Sequence, residues 1–245
     1  MRLIHDGFAA LRILDDRDRI LMVDPSDPKN ATDVRGRKVA WLCLTGGPWT
    51  ERYRAADAVI GLGPTLCGPP ELGRKLGGDW AWRALDGMTI EGVPYVPPDE
   101  TPERGLRARF KRRLASEPEV TFDAPPHALR LGIAEGHAFV HLGLALHAGT
   151  SAAFVERIRP WIEGATLLAG FAYGHGEPFL EHITSLRPKR VLLMDQTSDR
   201  RREQGLPVEL VTPVRDVLVS RGIETHPFVS GTSHRFEPDD TIKRW

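Results

Sequence analysis

The chemistry-bearing residues of this chain sit where apolar runs give way to glycine-marked loops. His141 and His147 flank Gly143. His175 lies in Tyr173-Gly174-His175-Gly176, and Asp195 and Asp199 follow the next apolar run, as Asp24 follows an earlier one. Imidazoles mixed with carboxylates suit zinc, iron or manganese. None of them has the tight His-x-His spacing that makes a ligand pair specific, so polar residues hydrogen-bonding in wet loops are the better explanation. His5, His127, His137, His182, His226 and His234 read as scattered structural or surface histidines, with His226-Pro227 reaching the same face only weakly.

Two other chemistries can be weighed. Thr45-Gly46-Gly47-Pro48 places a loop at a helix start, where unpaired N–H groups and the helix dipole attract a phosphate or carboxylate. No GxGxxG or Walker pattern supports a nucleotide there, and glycines at such turns also serve backbone shape alone. Ser230-Gly231-Thr232-Ser233-His234 holds serine and histidine, but without a Gly-x-Ser-x-Gly elbow it argues against a serine hydrolase.

These residues need elements to position them. Leu3-Ile4 and Ala9 to Leu14 read as strands, Asp15 to Asp18 as a charged hairpin turn, and Arg19 to Val23 as the returning strand, ended by Asp24-Pro25. The run Val39 to Leu44 predicts a buried strand feeding a loop and a short helix over Trp49 to Ala56. Ala58 to Leu62 reads as a strand, Pro69 to Leu76 as a helix closed by Gly77-Gly78, and Trp80 to Leu85 and Met88 to Val96 as strands. In the second half, strands are expected at 128–134, 137–142, 165–171 and 190–194, helices at 151–161, 177–186 and 208–221, and a closing strand at 223–229. Each half thus runs strands first, then alternates strand and helix.

Read together, these features resemble the metallo-β-lactamase fold over nearly the whole chain. The resemblance rests on Val23-Asp24-Pro25, on the strand ending at Thr45, on Gly143 closing the second-half hairpin, and on Val191-Leu192-Leu193-Met194 before Asp195. It implies a four-layer α/β/β/α sandwich whose Asp24, His147, His175 and Asp195 loops share one end. It also implies where metal ligands would stand. Active members carry His-x-His-x-Asp-His after the threonine, and here those positions hold Gly46, Pro48, Thr50 and Glu51. Phe8 takes the place of an early histidine and Leu144 that of the bridging aspartate. Losing this many ligands removes the standard dinuclear site, because its hydrolytic water needs several convergent donors to lose a proton near neutral pH.

Composition bounds the rest. With 245 residues, 41% of them hydrophobic, the chain can bury a large core. Equal numbers of basic and acidic residues, 33 each, argue against a nucleic-acid partner. The segment Thr101 to Ala115 reads as a strongly basic helix with a stripe of Leu106, Phe110 and Leu114. It is expected to lie on the surface with solvated arginines, as an insertion near 101–116 in a single domain spanning 1–245. Cys43 and Cys67 read as small buried residues, not as a disulfide framework or zinc site. The N-terminus has no uninterrupted apolar stretch, and no window approaches a membrane span, so a cytoplasmic protein is the expectation.

Two functions emerge. The first is a degenerate member that keeps the fold to bind a small molecule or anionic ligand or to serve as a scaffold, with no cofactor, through Asp24, Thr45, Gly46, Gly47, His147, His175 and Asp195. The second is a metal-dependent hydrolase of an ester, lactone, amide or phosphodiester with a rebuilt zinc, iron or manganese site at His141, His147, His175 and Asp195. The sequence leaves a homodimer open.

Overall fold

Short-range chemistry sets the first hairpin. Asp15 accepts hydrogen bonds from the backbone N–H groups of Arg17 and Arg19 at 3.0 and 2.7 Å, and Asp18 turns the chain with φ at 61°. Aspartate tolerates that left-handed geometry better than most residues. The hairpin joins β2 (Ala10–Leu14) to β3 (Ile20–Val23), and β1 (Arg2–Gly7) pairs antiparallel with β2. A computed structural model of the chain describes residues 1–7, 10–27, 36–46, 50–94, 127–133, 137–143, 152–171, 176–195, 205, 210–237 and 241–244.

Two mixed seven-stranded sheets and five helices are present among the described residues, an α/β arrangement consistent with a sandwich of two sheets. In the first sheet, β4 (Val39–Cys43) and β5 (Thr65–Cys67) extend β3 in parallel, and α1 (Thr50–Ile60) connects them. A 3₁₀ turn (Pro70–Leu72) and the short α2 (Gly73–Leu76) follow. The second sheet opens with the antiparallel strands β6 (Ala84–Leu85), β7 (Met88–Pro94), β8 (His127–Ile133) and β9 (Ala138–Gly143). It continues in parallel through α3 (Ala152–Ile162), β10 (Thr166–Phe171), α4 (Gly176–Leu186), β11 (Arg190–Asp195), α5 (Val211–Ser220) and β12 (Glu224–Phe228).

Strand alternation explains the core. Trp41 and Cys43 of β4 share one buried cluster with Leu129, Leu131, Phe139, Leu168, Leu192 and Met194 of the second sheet. The opposite parity, Val140, Leu142, Leu167, Ala169, Val191 and Leu193, clusters with Phe154, Ile158, Phe179 and Ile183 of α3 and α4. Leu42 and Leu44 cluster with Ala56 and Val59 of α1. A strand buried on both faces reads as a continuous apolar run, which is what β4, β10 and β11 are.

Three local expectations are corrected. Ala58 to Ile60 continues α1 and is not a strand, because Ala55, Ala56 and Val59 are buried at the spacing of one helical face. The strand lies later, at β5. Trp80 to Leu85 is not one strand either. The segment leaves the first sheet through an isolated bridge between Ala81 and Cys67 and joins the second only at Ala84. Finally, β12 does not close the chain. Gly231 turns at φ 79°, and β13 (Ser233–Phe236) and β14 (Ile242–Arg244) return to the first sheet, β13 beside β1.

Two contacts fix which strand ends face together. The His127 N–H at the start of β8 donates to the Thr45 carbonyl just beyond β4, at 2.7 Å. At the other end, Arg17 and Arg19 in the β2–β3 turn pair with Asp86 in the β6–β7 turn. The carboxyl ends of β3, β4, β10, β11 and β12 therefore lie at one end of both sheets.

Candidate functional site

At that end, β3 runs out in an unusual residue. Asp24 is 1% exposed and has φ at 44°, a left-handed turn on a side chain that must also be solvated from within the protein. Thr45 supplies the solvation. Its backbone N–H donates to Oδ1 at 2.9 Å and its hydroxyl to Oδ2 at 2.6 Å, while the Asp24 N–H donates to the Cys43 carbonyl. A buried carboxylate persists only with donors of this kind. The pair ties the end of β3 to the end of β4.

Gly46 follows, buried, at φ 80°. A side chain is rarely accommodated there, and the chain can turn toward α1. The neighbouring β5 end is equally tight. A Cβ on Gly68 would stand 2.6 Å from the Leu44 carbonyl oxygen, so only glycine permits this approach.

From the second sheet, Trp82 stacks on His127 with ring centroids 5.1 Å apart. Gly92 makes room for the indole, since a Cβ there would meet Trp82 Cζ2 at 2.1 Å. His127 is itself buried. His141 is wholly buried in β9, with Leu129 and Leu168 of the shared cluster as its register partners. At the flank, the His5 Nδ1 lies 2.7 Å from the Phe228 carbonyl oxygen, and Phe228 also meets the His234 ring edge to face, with centroids 5.1 Å apart. Asp6 forms a bidentate pair with Arg12 at 2.6 and 2.7 Å. Burial nevertheless dominates and leaves its carboxyl above the usual range.

Cys43 and Cys67 are register partners on β4 and β5, both buried and both free thiols. Burial pushes Cys43 well above the usual thiol value, helped by the charges of Cys67 and Asp24. It lifts Cys67 to about 11 against the opposing charge of Arg83. Near neutral pH both stay protonated, so neither supplies a thiolate nucleophile.

Of the residues singled out from sequence, Asp24, Thr45 and Gly46 are brought together. Asp195 is the last residue of β11, paired with Phe171, and His141 lies two residues before the end of β9. Gly47, His147 and His175 lie outside the described residues, as do Phe8, Pro48, Leu144, Asp199 and the basic segment 101–116. Thr50 and Glu51 open α1. Among the described residues no group of three or more His, Cys, Asp or Glu is placed to hold a metal ion, and no helix is long and apolar enough to cross a membrane.

His127 and His5, read from sequence as scattered structural or surface histidines, and Trp82, which no sequence pattern singles out, brace this end. One signal was available for His5: Leu3 and His5 share parity in an alternating strand. For His127 and Trp82 the information lies in contacts between sheets, which no local pattern carries. Comparison with family models finds none that matches the chain, and comparison with curated proteins finds no match either.

Proposed function

We propose that the chain is a single-domain, four-layer α/β/β/α protein of metallo-β-lactamase type. In this reading it has lost metal-dependent hydrolysis and binds a small molecule, an anion in particular, at the carboxyl end of its strands. The carrying observation is the Asp24–Thr45–Gly46 arrangement. The scaffold aspartate and threonine of that fold are joined by two hydrogen bonds, and the next residue, where the first ligand imidazole would stand, is a buried glycine. The donor set does not fit a dinuclear metal site, since Gly46 offers no donor and both Asp24 oxygens are engaged by Thr45. What remains is backbone polarity at a helix-proximal turn with His127, bonded to the Thr45 carbonyl, and Trp82 beside it, apolar faces and a few polar groups of the kind small ligands use.

A rebuilt hydrolytic site is the second reading, favoured by His141 and Asp195 both lying toward this end. They stand two strands and about three residues apart, roughly 14 Å between Cα atoms, too far for one ion to touch both. That reading therefore needs His147 or His175 beside one of them, and replacing His175 and Asp195 with alanine should then abolish turnover.

The test of the first reading is an NMR titration of the amide-labelled protein with small carboxylates and inorganic phosphate. Saturable shifts at the Thr45 and Gly46 amides and the Trp82 indole N–H are expected. Saturable shifts confined to other regions, or none, would refute binding at this end.

A further inference from the structure

A groove of about 530 Å³ lies at the opposite end of the second sheet, where α3, α4 and α5 finish before the strands begin, lined by Arg159, Glu181, Thr184, Ser185, Arg187 and Arg221. Two of its three guanidiniums are pinned. Arg159 binds Glu156 through Nε and Nη2 and the Ser185 carbonyl through Nη1, and Arg221 binds Glu177 and, at 3.2 Å, the Thr184 hydroxyl. A guanidinium has five N–H donors, so each keeps donors to spare in a fixed orientation.

Arg187 is different. It makes no ion pair or hydrogen bond among the described residues, and it sits at φ 48° directly after α4. That is the position where a helix most readily ends on glycine, because a Cβ is strained there. The following Pro188 restricts it further. A long cationic side chain held in strained backbone beside two immobilised arginines points to use by a ligand. Arginines capping helix carbonyls would account for Arg159, whose guanidinium reaches the Ser185 carbonyl, but not for Arg187.

We propose that this groove binds a phosphorylated polyol: the phosphoryl group lies among Arg159, Arg187 and Arg221, and a hydroxyl of the ligand donates to Glu181. Planar guanidiniums match phosphate oxygens in pairs, while the Glu181 carboxylate would repel a ligand that was anionic throughout. The site is independent of the carboxyl-end reading, because no residue is shared.

The experiment is calorimetric titration of the full chain with ribose 5-phosphate, inorganic phosphate and ribose. The phosphoester is expected to bind saturably, phosphate more weakly and ribose undetectably. Arg187→Gly removes the guanidinium while relaxing the backbone, so it should weaken binding by about tenfold or more with the melting temperature unchanged or raised. Arg187→Lys, which keeps the charge but not the fork, should fall between. Lack of saturable binding by the phosphoester up to about 10 mM would overturn the proposal, as would binding that Arg187→Gly leaves intact.

Discussion

The two ends of the sheets handle charge in opposite ways. Where the strands finish, Asp24 is sealed from water and held by Thr45, and the aromatic pair Trp82–His127 stands nearby. Where they begin, exposed Arg17 and Asp86 pair across two turns with half-buried Arg19 and Asp15 behind them, and at the edge buried Arg190 pairs with the more open Glu224, which also bonds His226. Among the described residues, the carboxylate at the first end is one the fold itself must satisfy. At the second, Arg17, Asp86, Glu224 and His226 lie where water can serve them almost as well. The difference teaches which end the sequence is free to vary: exposed pairs contribute little net stability, while one buried carboxylate fixes the geometry of two strands.

The largest effect expected from breaking that contrast is at Asp24. Asp24→Ala strands the Thr45 hydroxyl and N–H in a dry site and should cost about 2–4 kcal/mol in urea denaturation. Adding Thr45→Val removes one stranded group. The double variant should therefore be less damaging than the sum of the two single ones. Additive losses would show that the pair is not coupled.

Next comes Gly92→Val, which drives the Trp82 indole off β7. A loss of about 1–3 kcal/mol is expected, with a shift in tryptophan emission. Unchanged emission would place the indole elsewhere.

Smaller and opposite in sign are two pH effects, one from each end. Burial raises the Asp6 carboxyl despite Arg12, so the native state takes up a proton before the unfolded chain does. Stability contributed through Asp6 should rise as pH falls from neutral through the raised value toward the ordinary range near pH 4, and Asp6→Asn should remove that rise. Glu224 is the reverse. Burial pushes it up, but its bonds to His226 and Arg190 outweigh this and hold it below the usual value. Its contribution is present above the ordinary glutamate range and lost as pH falls through the lowered value, so the cost of Glu224→Gln should fade in acid. Denaturation midpoints across pH check both signs.

The smallest effect is at the exposed cluster. Asp86→Ala breaks its pairs with Arg17 and Arg19 and should cost under about 1 kcal/mol, less still at high salt. A loss rivalling that of Asp24→Ala would erase the distinction between the ends.

Much of this was legible from pattern. The charged hairpin, the doubly buried β4 and the strand–helix alternation of the second half are local signals, and the structure has them within about three residues. Asp24, Thr45 and Gly46 could be picked out because each sits at a strand end. The rest depended on partners distant in sequence. Arg235 pairs with Arg2, and nothing local says that the chain returns to its first strand. Trp82 and His127 meet because a segment crosses from one sheet to the other, so their apolar and aromatic character alone reads as generic core. The extension of α1 through Ile60 shows the remaining ambiguity: a short apolar run suits strand or helix until its neighbours decide.

Elemental analysis of the protein purified without a histidine tag or added metal tests the central claim most directly. The account predicts no near-stoichiometric zinc, iron or manganese, even after incubation with excess zinc and removal of the unbound ion. About one ion per chain, lost on changing His175 or Asp195 to alanine, would contradict it and make the end that Asp24 and Thr45 hold together a metal centre.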